Sequence, residues 1–279
     1  MSTTPFSLTP PGAEPLPIVV DSPHSGTDYP EDFGSIRSGL ALRLGEDTWI
    51  HELYASAPRH GATLLAANFP RAYIDPNRSL VDIDPALLSE PWPGPVTPGR
   101  KTELGIGLVW RLMDGQPIYD RQLSVAEVQG RIDRCWRPYH AALNAALDVA
   151  AHAPARWHLN VHSMPDDSYR KLGLPEKPLA DFVLGNLDGS TCDEATMAVV
   201  EGALREAGYS VARNDPFKGV EIIRASGQPA RGWYSLQIEV KRSCYMDRDL
   251  QKNAGYERLQ RAIDGMLAKL AAHVRRELG

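Results

Sequence analysis

The chain has 279 residues with 43% hydrophobic and 23% charged content, as expected of a globular protein, and a formal net charge of -5 at pH 7. It lacks the basic excess of a nucleic-acid-binding protein and the apolar stretch of roughly 18–20 residues that spans a bilayer. Residues 1–16 do not have the pattern expected of a signal peptide. The three cysteines are widely spaced without a CxxC pair, which indicates a reducing compartment, so we expect a cytoplasmic protein. From the charge and the lack of a long apolar stretch we expect neither nucleic-acid nor membrane partners.

The first third of the chain is predicted to alternate short apolar strands with helical segments. Residues 1–16, rich in Ser, Thr and Pro, are expected to form a flexible N-terminal segment. Residues 16–21 are continuously apolar up to a final aspartate, which predicts the first core strand. The pattern that follows predicts a helical turn, a helix and two strands at 35–40, 48–55, 62–68 and 73–74, respectively.

The middle of the chain combines a long loop with one strongly predicted helix. Residues 82–99 are crowded with Pro and Gly, which is typical of a long functional loop. Residues 101–118 are compatible with either a strand pair or a flap over a site. Ser124 begins a capping box, which predicts a helix over 124–150, and Pro138 inside this helix predicts a kink or a break.

The second half of the chain alternates strands and helices, without an internal repeat or a linker. The predicted strands lie at 158–161, 181–185, 209–212, 221–223 and 235–240, and the predicted helices lie at 194–208 and 256–278. Alternating strands and helices pack as helices on both faces of one sheet. We therefore expect a single α/β/α sandwich domain over residues 17–279.

Polar residues beside the predicted strands form a candidate site. His24 and His162 each follow an apolar run, and ligands bind at the carboxyl ends of the strands in open α/β sheets. Asp47 lies at a helix start, where a carboxylate also suits the helix dipole. Glu239 alternates with apolar residues in a strand, and exposure on an edge strand would explain it as well as catalysis. Two imidazoles and a carboxylate suit a catalytic zinc ion with an open fourth position.

Five short motifs follow one another along most of the chain. They are Pro-His-Ser-Gly at 23–26, Arg71 with Asp-Pro-Asn-Arg at 75–78, Asn-Val-His-Ser at 160–163, Phe-Lys-Gly at 217–219, and Gln-Ile-Glu at 237–239 with Tyr-Met-Asp at 245–247. In this order they resemble the N-formylglutamate amidohydrolase family, which is in turn similar to zinc carboxypeptidases and aspartoacylases. The resemblance implies a three-layer α/β/α sandwich with a mixed central sheet, a zinc-carboxypeptidase-like fold of the phosphorylase/hydrolase-like kind.

The resemblance also implies one zinc ion (Zn²⁺) per chain, held by His24, Asp47 and His162. The carboxypeptidase pattern places its carboxylate ligand three residues after the first histidine, but that position is Thr27 here. The carboxylate must therefore come from elsewhere, and Asp47 matches the aspartate of the formylglutamate family. The neighbouring Glu46 is the alternative ligand.

Further positions in the motifs are implied to act on the substrate. Glu239 would be the general base, and Arg71 would polarise the scissile carbonyl. Asn77 and Arg78 would hold the α-carboxylate of the substrate. A second carboxylate would need another cation, for which the candidates are Lys218, Arg224 and Arg213. His140 is expected to be structural.

The implied activity is zinc-dependent hydrolysis of N-formyl-L-glutamate to formate and the free amino acid, as in histidine degradation. The substrate would be a small anionic N-acyl amino acid. Another N-acyl-amino-acid deacylase, or a carboxypeptidase-like zinc hydrolase with a larger acyl pocket, is the enzymatic alternative. A metal-free metabolite-binding protein on the same scaffold is the non-enzymatic alternative. No feature of the sequence indicates an oligomeric state.

Overall fold

The computed structural model describes residues 4–279, which form two compact units built from separate stretches of the chain. Unit 1 contains the described chain up to Ser7, Pro23–Thr48 and Ala66–Leu143. Unit 2 contains Leu8–Ser22, Trp49–Leu65 and Asn144–Gly279. Of the N-terminal segment expected over residues 1–16, the first three residues lie outside the described part. The single domain expected over 17–279 stays a prediction.

Strands, α-helices, short 3-10 segments and one π-helical segment make up the regular structure of the described residues. The strands are β1 Phe6–Thr9, β2 Ile18–Ser22, β3 Thr63–Ala67, β4 Leu112–Met113, β5 Gln116–Pro117, β6 Arg156–Met164, β7 Phe182–Gly185, β8 Val211–Arg213 and β9 Trp233–Lys241. The α-helices are α1 Leu40–Arg43, α2 Ile50–Leu53, α3 Arg100–Glu103, α4 Val125–Arg131, α5 Arg137–Ala150, α6 Ser168–Lys171, α7 Glu194–Glu206, α8 Glu221–Ser226 and α9 Tyr256–Leu278. The 3-10 segments are Glu31–Phe33, Ala57–His60, Pro85–Leu87, Pro229–Arg231 and Arg242–Cys244, and the π-helical segment is Ile132–Trp136.

Seven of these strands form one mixed sheet in the order β1-β3-β2-β6-β9-β7-β8. Strand β6 pairs in parallel with β2 and β9, whereas β7 pairs antiparallel with β9 and parallel with β8. This arrangement confirms the predicted α/β class with a mixed central sheet. It also places β6 and β9 side by side in the interior of the sheet.

The two faces of β6, in unit 2, differ sharply in chemistry because successive side chains point to opposite faces. Trp157, Leu159 and Val161 belong to the apolar core, and Trp157 donates from Nε1 to Thr196 Oγ1 of α7 at 3.0 Å. Its ring also meets His273 of α9, with 6.2 Å between ring centroids. The residues that alternate with them from Arg156 to His162 are polar and buried, so this face of the strand can present a site without exposing the core.

Helix α8 of unit 2 packs near the polar face, since Ser226 Oγ lies 3.1 Å from Nδ1 of His158 on β6. Helices α7 and α9 cover the apolar face through the contacts of Trp157. Helices therefore lie on both faces of the sheet, as predicted for a three-layer sandwich. Among residues 4–279, no helix is both long enough and apolar enough to cross a bilayer.

Most predicted elements are present, and the exceptions are short. The terminal helix was predicted at 256–278 and is observed as α9 with those bounds, and the core strands predicted at 16–21 and 62–68 correspond to β2 and β3. Tyr73 lies in a turn and Ile74 in irregular chain, so the strand predicted at 73–74 is absent. Residues 221–223 were predicted as a strand but begin α8, because a brief apolar run does not by itself distinguish a strand from a helix. Strand β1 was not predicted.

The helix predicted over 124–150 is interrupted at the position that Pro138 indicated. Ser124 and Glu127 form the predicted capping box, with each side chain accepting from the other residue's amide. A π-helical segment, Ile132–Trp136, separates α4 from α5 just before Pro138. Proline lacks an N–H and crowds the preceding turn, and a single wide turn relieves both problems.

Candidate functional site

The Pro-His-Ser-Gly turn after β2 is held in unit 1 by a close backbone approach. A Cβ on Gly26 would lie 2.4 Å from backbone atoms of Asn68 and Phe69, so a larger residue does not fit without a shift of the chain. The amide of Asp28 donates to the carbonyl of Asn68 at 2.8 Å. The glycine of the motif therefore fixes the loop that carries His24.

His24 is buried, and its two ring nitrogens face two different carboxylates of unit 1. Nδ1 lies 3.2 Å from Oδ2 of Asp47, and Nε2 lies 2.7 Å from Oδ1 of Asp75. The backbone amide of Asp47 also donates to the His24 carbonyl at 3.0 Å. An N–H on Nε2 that donates to Asp75 leaves the lone pair of Nδ1 on the side of Asp47.

Asp75 is the centre of a dense network of donors in unit 1. Arg71 donates to Oδ2 from Nε at 3.2 Å and from Nη2 at 2.9 Å. The Asn77 amide donates to Oδ1 at 2.8 Å, and Trp110 Nε1 donates to Oδ2 at 3.3 Å. The guanidinium of Arg71 also stacks over the Trp110 ring, 4.8 Å from its centroid. Asp75 therefore orders the arginine and asparagine predicted to bind substrate.

The charge of Asp75 is stabilised although the residue is fully buried. Burial by itself would raise the pKa of this carboxyl, but Arg71, His24 and Arg78 hold the pKa well below its usual range. In the sequence, Asp75 was noted only as the first residue of the Asp-Pro-Asn-Arg motif, without a role of its own. The available signal was its spacing, four residues after Arg71 and at the start of the Asp-Pro-Asn-Arg motif.

Glu46, the alternative ligand to Asp47, is engaged elsewhere in unit 1. Its carboxylate accepts hydrogen bonds from Tyr29, from Arg43 Nε at 3.1 Å and from Thr48 at 3.5 Å. Burial raises the pKa of Glu46 despite these donors. A carboxyl group that is saturated with donors and resists ionisation is a poor metal ligand.

Arg78 and His140 stabilise the turn at 75–78 through hydrogen bonds to its backbone carbonyl groups. Arg78 is buried, and its Nη1 donates to the Asn77 carbonyl at 2.9 Å. His140 Nε2 donates to the Pro76 carbonyl at 2.8 Å. The hydrogen bond of His140 to a backbone carbonyl is that of a structural histidine, as expected from the sequence.

In unit 2, His162 ends a chain of buried polar side chains on the polar face of β6. Its Nε2 lies 2.6 Å from Oδ1 of Asn160. Asn160 Nδ2 in turn donates to Oδ1 of Asp21 at 2.9 Å, and His158 Nε2 lies 2.8 Å from that same oxygen. The participation of Asp21 and His158 was not predicted. The available signal was that each is a polar residue directly beside apolar residues of a predicted strand.

Glu239 lies beside His162 within the same sheet. The register of β6 and β9 pairs the two residues directly, and Glu239 is only 8% exposed. Because β9 lies between β6 and β7, the alternative of an exposed glutamate on an edge strand is wrong. Gln237 Nε2 donates to Oε1 of Glu239 at 3.0 Å and orients the carboxylate.

The candidates for binding a second carboxylate lie on the exposed surface of unit 2. Lys218 donates to Asp188 at 2.7 Å, and both side chains are more than half exposed. Arg213 is paired with two glutamates of α7. Arg224 lies on the exposed side of α8. Of these three, Arg213 has the most extensive ion pairing.

The ligand atoms of His24, Asp47 and His162 all lie within 4.8 Å of one another, and all three residues are buried. Each histidine has Nε2 beside an acceptor, Asp75 or Asn160, so an N–H on Nε2 makes Nδ1 the ring nitrogen whose lone pair can bind a metal. Adjacent ligand atoms of a tetrahedral zinc ion, bound at about 2.0–2.1 Å, are about 3.3 Å apart. The separation of 3.2 Å between His24 Nδ1 and Asp47 Oδ2 agrees with that value. The donor set therefore fits a divalent metal.

Known proteins are similar to this chain in sequence and in fold over most of its length. The sequence model of the family N-formylglutamate amidohydrolase matches residues 16–246. An N-formylglutamate deformylase from Pseudomonas putida is 31% identical over 242 residues, which are 83% of this chain and 82% of that protein. A protein of the same name from Pseudomonas aeruginosa is 30% identical over 240 residues, 83% of each chain.

A solved structure extends the similarity to three dimensions. The crystal structure of an N-formylglutamate amidohydrolase from Ralstonia eutropha JMP134 is 53% identical to this chain and superposes with a TM-score of 0.96. The match covers 98% of this chain and 99% of that chain. The family match over most of the sequence confirms the resemblance seen in the five motifs, and the chain belongs to the N-formylglutamate amidohydrolase family.

Proposed function

We propose that this protein is a zinc-dependent amidohydrolase that hydrolyses N-formyl-L-glutamate to formate and L-glutamate. The observation that carries the proposal is the convergence of His24, Asp47 and His162, whose ligand atoms lie within 4.8 Å in a buried setting. The names of the similar proteins from Pseudomonas and Ralstonia support the substrate. We propose one zinc ion per chain at these three residues.

Zinc, when bound with an open coordination position, supplies a Lewis acid that acidifies a water molecule and polarises a carbonyl. Glu239 is proposed as the general base that takes a proton from the attacking water. The same side chain then delivers a proton to the departing amine nitrogen of glutamate. Its position beside His162 across β6 and β9, and its orientation by Gln237, support this role.

Arg71 is proposed to stabilise the negative charge that develops on the scissile carbonyl oxygen. Two of its guanidinium nitrogens are occupied by Asp75, and the third, Nη1, lies 3.9 Å from Asp47 Oδ2. A guanidinium held rigidly on one edge is already oriented when charge develops, so little reorganisation is needed. The stacking on Trp110 adds to this rigidity.

Asn77 and Arg78 are proposed to hold the α-carboxylate of the substrate. The Asp75 carboxylate and the Asn77 amide close the turn that presents both side chains, and Arg78 is buried within unit 1. A γ-carboxylate needs a separate cation, and Lys218 and Arg224 are the proposed candidates. The surface ion pair of Lys218 with Asp188 is worth little energy and a substrate anion can replace it.

This activity would release formate in the degradation of histidine, in the cytoplasm, with the small anionic substrate as the partner. A matched set of compounds tests it: N-formyl-L-glutamate, N-acetyl-L-glutamate and N-formyl-L-glutamine. We expect kcat/KM for the formyl compound to exceed that for the acetyl compound by about 10–200-fold, the usual range for one carbon in a tight pocket. N-formyl-L-glutamine, which lacks the γ-carboxylate, should be turned over more slowly as well.

Formate release is the measured quantity for the formyl compounds, and free glutamate for the acetyl compound. Faster turnover of the acetyl compound would overturn the substrate and favour the deacylase alternative. Tight binding of N-formylglutamate without turnover, by protein that contains no stoichiometric metal, would favour a metabolite-binding protein instead.

A further inference from the structure

The polar face of the sheet in unit 2 contains a buried acid and a buried histidine to which the proposed reaction gives no role. Asp21 and Ser235 are 0% exposed, and His158 is 2% exposed. They lie on three adjacent strands, β2, β6 and β9. Buried polar groups are costly unless they are satisfied, so a network of this kind in a sheet centre requires an explanation.

We propose that Asp21, held by His158, fixes the side-chain amide of Asn160 and through it the tautomer and orientation of His162. Asp21 and His158 are thus positioning residues for His162 rather than catalytic residues. The proposal rests on the proposed function only in treating His162 as a metal ligand. It assigns no role to Asp21 in the chemical step.

The first step of the argument is the direction of the hydrogen bonds at Asp21. An ionised carboxylate only accepts hydrogen bonds, so both neighbours must donate to Oδ1. His158 donates from Nε2 at 2.8 Å and Asn160 donates from Nδ2 at 2.9 Å. The other ring nitrogen of His158 faces the hydroxyls of Ser226 and Ser235, at 3.1 Å and 2.7 Å. Hydroxyls donate or accept, so they suit His158 in either protonation state.

The second step follows from the chemistry of an amide, which has a donor end and an acceptor end. With Nδ2 turned toward Asp21, Oδ1 of Asn160 must face His162 Nε2, and the two atoms are 2.6 Å apart. A carbonyl oxygen only accepts, so His162 must carry its proton on Nε2. Nδ1 of His162 is then unprotonated, which is the state that a metal requires.

The third step is the comparison with His24, whose Nε2 faces the Asp75 carboxylate directly at 2.7 Å. At His162 the group that faces Nε2 is the neutral side-chain amide of Asn160. This amide carries no charge that would fix which of its two ends faces the histidine. A flipped Asn160 would present its donor end to His162 and favour the opposite tautomer. Asp21 removes this possibility because the flipped amide would point an oxygen at a carboxylate. Outer partners of this kind change metal affinity by about 10–100-fold.

The test uses full-length protein with ¹⁵N-labelled histidine rings, first stripped of zinc for NMR and then titrated with zinc against a chelator. Wild-type His162 should appear as the Nε2–H tautomer. In Asp21→Ala the His162 signals should change to a mixture of tautomers, and the zinc Kd should rise by about 10-fold or more. With saturating zinc, kcat should stay close to the wild-type value.

Val161→Ala is the matched control, since Val161 lies between Asn160 and His162 but belongs to the apolar core on the opposite face. It should lower thermal stability while leaving the His162 tautomer and the zinc Kd unchanged. If Asp21→Ala does not fold, Asn160→Ala removes the same link and should give the same two changes. The proposal is overturned if a folded variant at position 21 or 160 keeps the wild-type tautomer and zinc Kd. Neither readout depends on formate release, so failure of the proposed substrate would leave this result interpretable.

Discussion

Glu239→Gln is expected to lower kcat for formate release by about 10²–10⁴-fold, the usual contribution of a general acid–base residue. The amide is nearly isosteric with the carboxylate but cannot take the proton of the attacking water. Because Glu239 is buried in the interior strand β9 and is bonded by Gln237, the substitution should leave its surroundings in place. Zinc content and KM should therefore change little. The measurement is formate release at saturating substrate, together with metal analysis of the same sample.

The matched control is Glu46→Gln, the same chemical change at another buried glutamate. The Glu46 carboxylate accepts hydrogen bonds from Tyr29, Arg43 and Thr48. Glu46→Gln should therefore lower the free energy of unfolding while kcat changes little. If Glu239→Gln kept the wild-type rate, the assignment of the base would be wrong. A loss of zinc from Glu239→Gln would instead indicate that this carboxylate is a ligand.

The second large effect is expected from Asp47→Asn, which should raise the zinc Kd by more than about 100-fold. Loss of an outer hydrogen-bond partner costs about 10–100-fold, and loss of a charged ligand should cost more. Asp47 supplies the only carboxylate of the proposed ligand set, next to His24 Nδ1 at 3.2 Å. Competition with a chelator of known affinity measures the change.

Glu46→Gln decides between the two adjacent carboxylates in this measurement as well. It should bind zinc as tightly as the wild type, since both oxygens of Glu46 are engaged by other side chains and burial raises its pKa. The reverse pattern, with zinc lost from Glu46→Gln and retained by Asp47→Asn, would assign the ligand to Glu46.

His24 and His162 show how far the sequence predicts the site. His24 follows β2, as its apolar run predicted, whereas the strand predicted at 158–161 extends further, so His162 lies within β6 rather than after it. The preference for Asp47 over Glu46 came from the family resemblance. The contacts of Glu46 in unit 1 give that preference a physical reason, which depends on the distant Tyr29 and therefore cannot be read locally.

Asp75 and Asp21 show why the remainder was not predicted. An aspartate before Pro-Asn is ordinary turn chemistry, and only the folded chain brings Asp75 to His24, 51 residues earlier. Asp21 stands 137 residues from His158, to which it is bonded. The edge-strand alternative for Glu239 likewise depended on strand order, which periodicity does not encode.

Both proposed histidine ligands have the same local arrangement, in which Nε2 faces a hydrogen-bond acceptor and Nδ1 is the proposed metal-binding atom. At His24 the partner is a carboxylate that also orders Arg71, and at His162 it is an amide. The arrangement ties the tautomer of each ring to a neighbouring buried acid. It implies that metal affinity in this protein depends on residues well outside the ligand set.

The dependence of formate release on zinc tests the central claim most directly. Protein stripped of metal with a chelator and dialysed should release no formate from N-formyl-L-glutamate. Addition of Zn²⁺ should restore activity in proportion to the amount bound, with a break at one zinc per chain. Formate release at the wild-type rate from protein shown to contain no metal would contradict the account.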